Sequence, residues 1–104
     1  MLLYEKAAAL MLLLMTAVPG AQAQDAHLAR NLAATCANCH GTSGNARGDM
    51  RSLAGVPADK TLAMLADFKS GAQPATLMHQ IAKGYTDEQL RLIAGWFAAQ
   101  PVKP

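Results

Sequence analysis

The sequence has few of the residues that usually stabilise a small domain. Its 104 residues include only two cysteines, one tryptophan, two tyrosines and two phenylalanines. No segment alternates apolar and polar residues between hairpin turns, so no β-sheet is expected. The formal net charge is only +2 and the basic residues are not clustered, which argues against a nucleic-acid-binding surface. A chain this short with so few aromatic residues forms a small core, so we expect a disulfide, a metal or a cofactor to complete it.

Long apolar runs are absent as well. The apolar run over residues 7–18 is shorter than the ~20 residues that a membrane-spanning helix needs. It follows a short charged start and is followed by the small-x-small sequence Ala21-Gln22-Ala23, the order typical of a secretory signal peptide. The sequence therefore predicts a signal peptide over residues 1–23, one mature domain over residues 24–104 without a membrane span, and a periplasmic location.

The predicted mature chain has the apolar periodicity of helices that are joined by loops. A capping box, Thr86 with Gln89 three residues later, marks the start of the last helix, and Pro101 limits its end. The pattern predicts an all-α fold, with helices over residues 25–40, 57–71, 79–84 and 86–100.

Both cysteines lie in the sequence Cys36-Ala37-Asn38-Cys39-His40. A disulfide between them would close a very short loop, and a thioredoxin-like pair would need a βαβ unit that the sequence does not predict. A structural zinc site needs four ligands, and only three obvious ones are present. C-x-x-C-H is instead the signature of covalent haem attachment, in which the two thiols bind the vinyl groups and the histidine binds the iron. We therefore expect one covalent haem c, bound by Cys36, Cys39 and His40.

The second axial ligand of the iron has several candidates. Met78 is favoured because it follows His40 by a complete predicted helix and a turn, which lets the chain reach the opposite haem face. His79 is the rival, and a bis-histidine site would also be chemically sound. Three weaker candidates remain. His27 is expected to face water, Met50 lies too close to His40 along the chain, and Met64 is expected to be a packing residue on a helical stripe.

The whole mature chain resembles the monohaem class I cytochromes c. The resemblance rests on "CANCHG", "SLAG", "PATLM" and "IAGWFAAQ", in this order. The stretch from Phe68 to Gln100 is similar to the cytochrome subunit of flavocytochrome c sulfide dehydrogenase. The resemblance implies a haem wrapped by short helices, the first and last of which cross, and it matches Met78 to the axial methionine of the family.

Two further expectations follow from the resemblance. Leu28, Ala29 and Leu32 of the first helix should meet Ile93, Trp96 and Phe97 of the last one. Members of the family often have a proline whose carbonyl accepts a hydrogen bond from the haem-binding histidine, and this sequence has Arg51 at that position. The carbonyl is kept, but the stiffness that proline provides is lost.

With two protein ligands on the iron, one-electron transfer is the expected function, and no catalytic residue is expected. The partner would be a redox protein, such as the FAD-containing subunit of a sulfide dehydrogenase. A free-standing soluble carrier is the alternative, and a haem enzyme or gas sensor with a dissociable Met78 is a third. Five basic side chains could steer a partner towards the haem edge, or could be ordinary surface: Arg47, Arg51, Lys60, Lys69 and Lys83.

Overall fold

The computed structural model describes residues 21–104, with side chains from His27 onward. This part of the chain is helical and contains no strand: α1 (Ala21–His40), a 3₁₀ turn (Thr42–Gly44), α2 (Ala58–Ser70), α3 (Met78–Lys83) and α4 (Asp87–Ala98). The all-α prediction is confirmed. Residues 1–20 of the predicted signal peptide lie outside the described residues, so the signal peptide stays a prediction.

Helix α1 begins earlier than the sequence pattern predicts. Residues 21–24, the first that the structure describes, are already helical, because alanine and glutamine are good helix formers. The helix ends at His40, since Gly41 takes a positive φ of 86°. A side chain at position 41 would overlap the backbone carbonyl of Asn45, so only glycine allows the chain to turn this tightly behind the histidine.

The ends of the other helices follow local sequence signals. Helix α2 lies between Pro57 and the left-handed Gly71, as predicted. The predicted capping box of α4 is confirmed: the Gln89 N–H donates to Thr86 Oγ1 at 3.1 Å, and the Thr86 N–H donates to Gln89 Oε1 at 2.9 Å. Helix α3 begins at Met78, one residue before the predicted start.

The core lies where α4 packs against both α1 and α2. Its buried members are small or apolar: Ala33, Leu65, Ala82, Leu90, Ile93 and Phe97. Ala33 is fully buried on α1, so its small side chain allows that helix to lie close to the core. The predicted contact between the first and last helices is confirmed. Leu28 departs from the prediction, because it is 42% exposed. Leu32 packs against the core as predicted, and Cys36 packs there as well.

Trp96 and Tyr85 both pack against this core. The Trp96 and Phe97 rings meet edge to face, with their centroids 5.1 Å apart. None of the helices in residues 21–104 is long and apolar enough to cross a membrane.

Candidate haem site

The Cys36–His40 motif forms the last turn of α1. Both thiols are free; Cys36 is half-buried and Cys39 is exposed. Residues three apart on a helix share one face, so both sulfur atoms are presented on the same side of α1. Helix α1 and the turn at Gly41 therefore place two thiols and one imidazole within a single helical turn.

The His40 ring is oriented by a backbone carbonyl. Its Nδ1 lies 2.6 Å from the carbonyl oxygen of Arg51. A carbonyl can only accept a hydrogen bond, so Nδ1 carries a proton, and in the neutral imidazole Nε2 then has the free lone pair. This is the tautomer in which a histidine binds a metal through Nε2. The Arg51 carbonyl thus accepts the hydrogen bond that the family resemblance implied.

The pKa of the Cys36 thiol is relevant to the thioredoxin-like alternative. Burial raises the pKa of the Cys36 thiol; the nearby Cys39 thiol adds to the rise, and a backbone hydrogen bond at Cys36 opposes it. Cysteines that exchange disulfides have lowered pKa values, so this environment is the opposite of the one a thioredoxin-like pair needs. Within residues 21–104, no three side chains of His, Cys, Asp or Glu converge on a point that could hold a metal ion.

The candidates for the second axial ligand differ in exposure and in hydrogen-bond partners. His27 and Met50 are exposed, the latter to 46%. The Met64 sulfur accepts a hydrogen bond from Arg51 Nη1 at 2.9 Å, so it already has a partner.

Met78 and His79 differ from the other candidates in their surroundings. Met78 is the first residue of α3 and packs, half-buried, against the core. His79 is also half-buried, and its Nδ1 is shielded from solvent without a hydrogen-bond partner. The start of α3 therefore carries one thioether and one imidazole at consecutive positions.

The apolar surface of the same segments suits a porphyrin. Leu77, beside Met78, is 63% exposed, and Ile81 on α3 is 37% exposed. Covering apolar side chains of this size with an apolar ring is favourable. Two free thiols at helical spacing, an imidazole with an available Nε2 and a half-buried thioether at the start of α3 are donors of the kinds that hold haem c.

The five basic side chains differ in their contacts. Lys69 Nζ donates to the Tyr85 carbonyl at 2.9 Å and lies 3.5 Å from Asp87 Oδ1, so Lys69 links α2 to the start of α4. Arg47, Arg51, Lys60 and Lys83 are all exposed, and the Arg51 guanidinium also contacts Met64.

Asn45, in the loop after the motif, has a structural role that the sequence does not predict. Asn45 donates from Nδ2 to the Pro101 carbonyl at 3.0 Å and accepts from the Lys103 N–H at 2.9 Å. It thereby binds the C-terminal residues to the loop behind His40. No sequence signal could have revealed this pairing, because the partners lie more than fifty positions apart.

No family model matches the chain. A curated relative, the cytochrome subunit of sulfide dehydrogenase from Chlorobaculum tepidum, is 42% identical over 66 residues, which cover 64% of this chain and 60% of the relative. Cytochrome c-553 from Desulfomicrobium norvegicum is 32% identical over 69 residues, which cover 64% of this chain and 86% of the relative.

Among solved structures, a cytochrome c4 from Acidithiobacillus ferrooxidans matches with a TM-score of 0.62 and 29% identity. The match covers 78% of this chain and 49% of the cytochrome c4 chain. The chain thus spans about 60% of the sulfide dehydrogenase subunit, half of the cytochrome c4 and most of the cytochrome c-553.

Proposed function

The chain belongs to the monohaem class I cytochromes c, electron-transfer proteins with one covalent haem c, and from that premise we propose that Cys36, Cys39, His40 and Met78 hold its haem. The observation that carries the proposal is the hydrogen bond from His40 Nδ1 to the Arg51 carbonyl, in a turn with two free thiols. It leaves Nε2 as the metal-binding atom.

Each residue of the motif has a distinct role in this proposal. Cys36 and Cys39 would hold the haem through thioether bonds, which would fix it to the last turn of α1. His40 would bind the iron through Nε2, and the Arg51 carbonyl holds the tautomer and the orientation of the ring. When bound, the haem supplies a one-electron ferric/ferrous couple.

Met78 is proposed as the second axial ligand. Its support is its half-buried position at the start of α3, and the fact that the Met64 sulfur already has a partner. A thioether is a soft donor that favours ferrous iron, which raises the reduction potential. Two protein ligands leave no open position on the iron, so carbon monoxide binding at rest would contradict this assignment and favour a gas-binding haem protein.

We propose that the electron donor is a sulfide-oxidising flavoprotein in the periplasm. The support is the similarity to the sulfide dehydrogenase cytochrome subunit and the signal-peptide pattern over residues 1–23. The alternative is a free-standing carrier, which is supported by the match over 86% of cytochrome c-553. Purification from the native periplasm at low salt distinguishes the two hypotheses. If the chain is a subunit, an FAD-containing protein should co-purify with it; if the chain is a free-standing carrier, none should.

The haem assignment has a direct test. Expressed with a haem-attachment system, the parent chain should keep its pigment after acidified acetone extraction, because thioether bonds resist it. Replacing Cys36 and Cys39 together by serine should make the pigment extractable, whereas His27→Ala, an exposed histidine on the same helix, should leave it bound. A colourless parent protein, or one that releases intact haem, would refute the proposal.

A further inference from the structure

Arg51 makes two contacts that join the histidine loop to α2. Its carbonyl oxygen accepts from His40 Nδ1 at 2.6 Å, and its guanidinium Nη1 donates to Met64 Sδ at 2.9 Å. Met64 lies on α2, so one residue links the haem-binding histidine to a helix that does not carry the motif. We propose that Met64, acting through Arg51, is a positioning residue for His40. This inference rests on the haem assignment above.

The backbone around Arg51 explains why an anchor is needed. On its C-terminal side, the Leu53 and Ala54 N–H groups donate to the Gly44 carbonyl at 2.8 and 3.1 Å. The Arg51 N–H makes no backbone hydrogen bond in the described structure, and the residue lies outside regular secondary structure. Proline would restrict φ at this position, whereas arginine does not. Neither a proline ring nor a backbone hydrogen bond from its own N–H holds residue 51 in place. The contact between the Arg51 guanidinium and Met64 therefore provides the restraint.

This restraint has a consequence for the iron. A hydrogen bond from Nδ1–H to a carbonyl raises the basicity of the other ring nitrogen, so a well-placed Arg51 carbonyl makes His40 a stronger donor. A stronger donor favours ferric iron and lowers the reduction potential. Loosening Arg51 should therefore weaken the hydrogen bond and raise the potential, although neither Met64 nor the guanidinium binds the iron.

Met64→Leu is the sharpest variant, because it removes the sulfur acceptor and keeps an apolar side chain of similar volume. In the haem-loaded protein we expect solvent exchange of the His40 Nδ1 proton, followed by NMR, to become several-fold faster, and the midpoint potential to rise. Met50→Leu is the matched control: it makes the same chemical change on the exposed neighbour of Arg51, and both readouts should stay at the parent values.

Two further variants keep the test decisive if Met64→Leu folds poorly. Arg51→Ala removes the contact from the other side and should also speed the exchange. The double variant Arg51→Pro with Met64→Leu should restore slow exchange, because proline supplies the stiffness directly and displaces no backbone hydrogen bond of residue 51.

The outcomes distinguish this inference from the haem assignment. If the parent chain binds haem covalently but Met64→Leu and Arg51→Ala both exchange at the parent rate, the positioning role is wrong and the haem assignment stands. If the parent chain carries no covalent haem, the proposed function itself fails.

Discussion

At the scale of single residues, one carbonyl decides which nitrogen of His40 is available. The Arg51 oxygen takes the Nδ1 proton, and Nε2 is left for a metal. No comparable hydrogen bond in the described structure decides whether Met78 or His79 is the second ligand. Met78 packs on the core, and the shielded Nδ1 of His79 has no partner. A spectroscopic comparison of the two residues is therefore informative.

We predict that Met78→Leu abolishes the weak red absorption band that thioether ligation gives to ferric haem, and lowers the reduction potential as another donor or water replaces the sulfur. His79→Leu should keep the band, since it leaves the thioether in place. Absorption spectra of the oxidised variants check this. A band that survives Met78→Leu, or a parent protein without one, would assign the second ligand elsewhere.

At the scale of elements, the 3₁₀ turn is packed under the end of α4. Gly44 is buried, and a Cβ there would lie 2.7 Å from both the Ala54 nitrogen and the Phe97 Cδ1. Its carbonyl accepts from two consecutive N–H groups, of Leu53 and Ala54. This glycine thus joins the turn after the cysteine–histidine motif to the loop that carries the Arg51 carbonyl.

We predict that Gly44→Ala destabilises the haem-loaded protein by about 1–3 kcal/mol more than Gly48→Ala, the usual range for overpacking a filled site. Both glycines have positive φ, 79° and 63°, so both variants introduce backbone strain. Nothing lies within 4 Å of a Cβ at Gly48, so the difference between them isolates the contact with Phe97 and Ala54. Denaturant unfolding measures it, and equal losses would show that the turn relaxes freely.

Elements with local signals could be predicted from the sequence. The capping box fixes the start of α4 and Gly71 the end of α2, because both signals act within a few residues. The C-x-x-C-H spacing located the candidate site for the same reason. The capping signal at Asp25 does not begin α1, because the good helix formers directly before it are already helical. The contacts of Arg51 with Met64 and of Lys69 with Tyr85 depend on how separate elements meet, which no local pattern encodes.

At the scale of the whole molecule, a small net positive charge is compatible with a positive electrostatic potential around individual exposed lysines. Lys83 is exposed in the last turn of α3, the helix that begins with Met78. Lys69 is less suited to a steering role, because it bonds the Tyr85 carbonyl and Asp87. A steering contribution should therefore be sought at Lys83.

We predict that Lys83→Glu slows reduction of ferricyanide, an anionic oxidant, by the ferrous protein at low salt, because it removes an attractive charge near the candidate site. Lys103→Glu changes the net charge equally on the exposed C-terminal segment and should slow the reaction less. Stopped-flow rates should converge at high salt, where screening is strong. Equal rates for the two variants at low salt would show that only net charge matters.

The attachment of the C-terminal segment to Asn45 has a practical consequence for protein engineering. The Asn45 carbonyl lies against Gly41, directly behind His40, and the Asn45 side chain holds residues 101 and 103. A second redox domain fused after Pro104 would therefore be attached close to the proposed haem-binding histidine. A short linker would keep the two centres at a high effective concentration, and this terminus is the natural point for wiring the chain to an electrode or an enzyme.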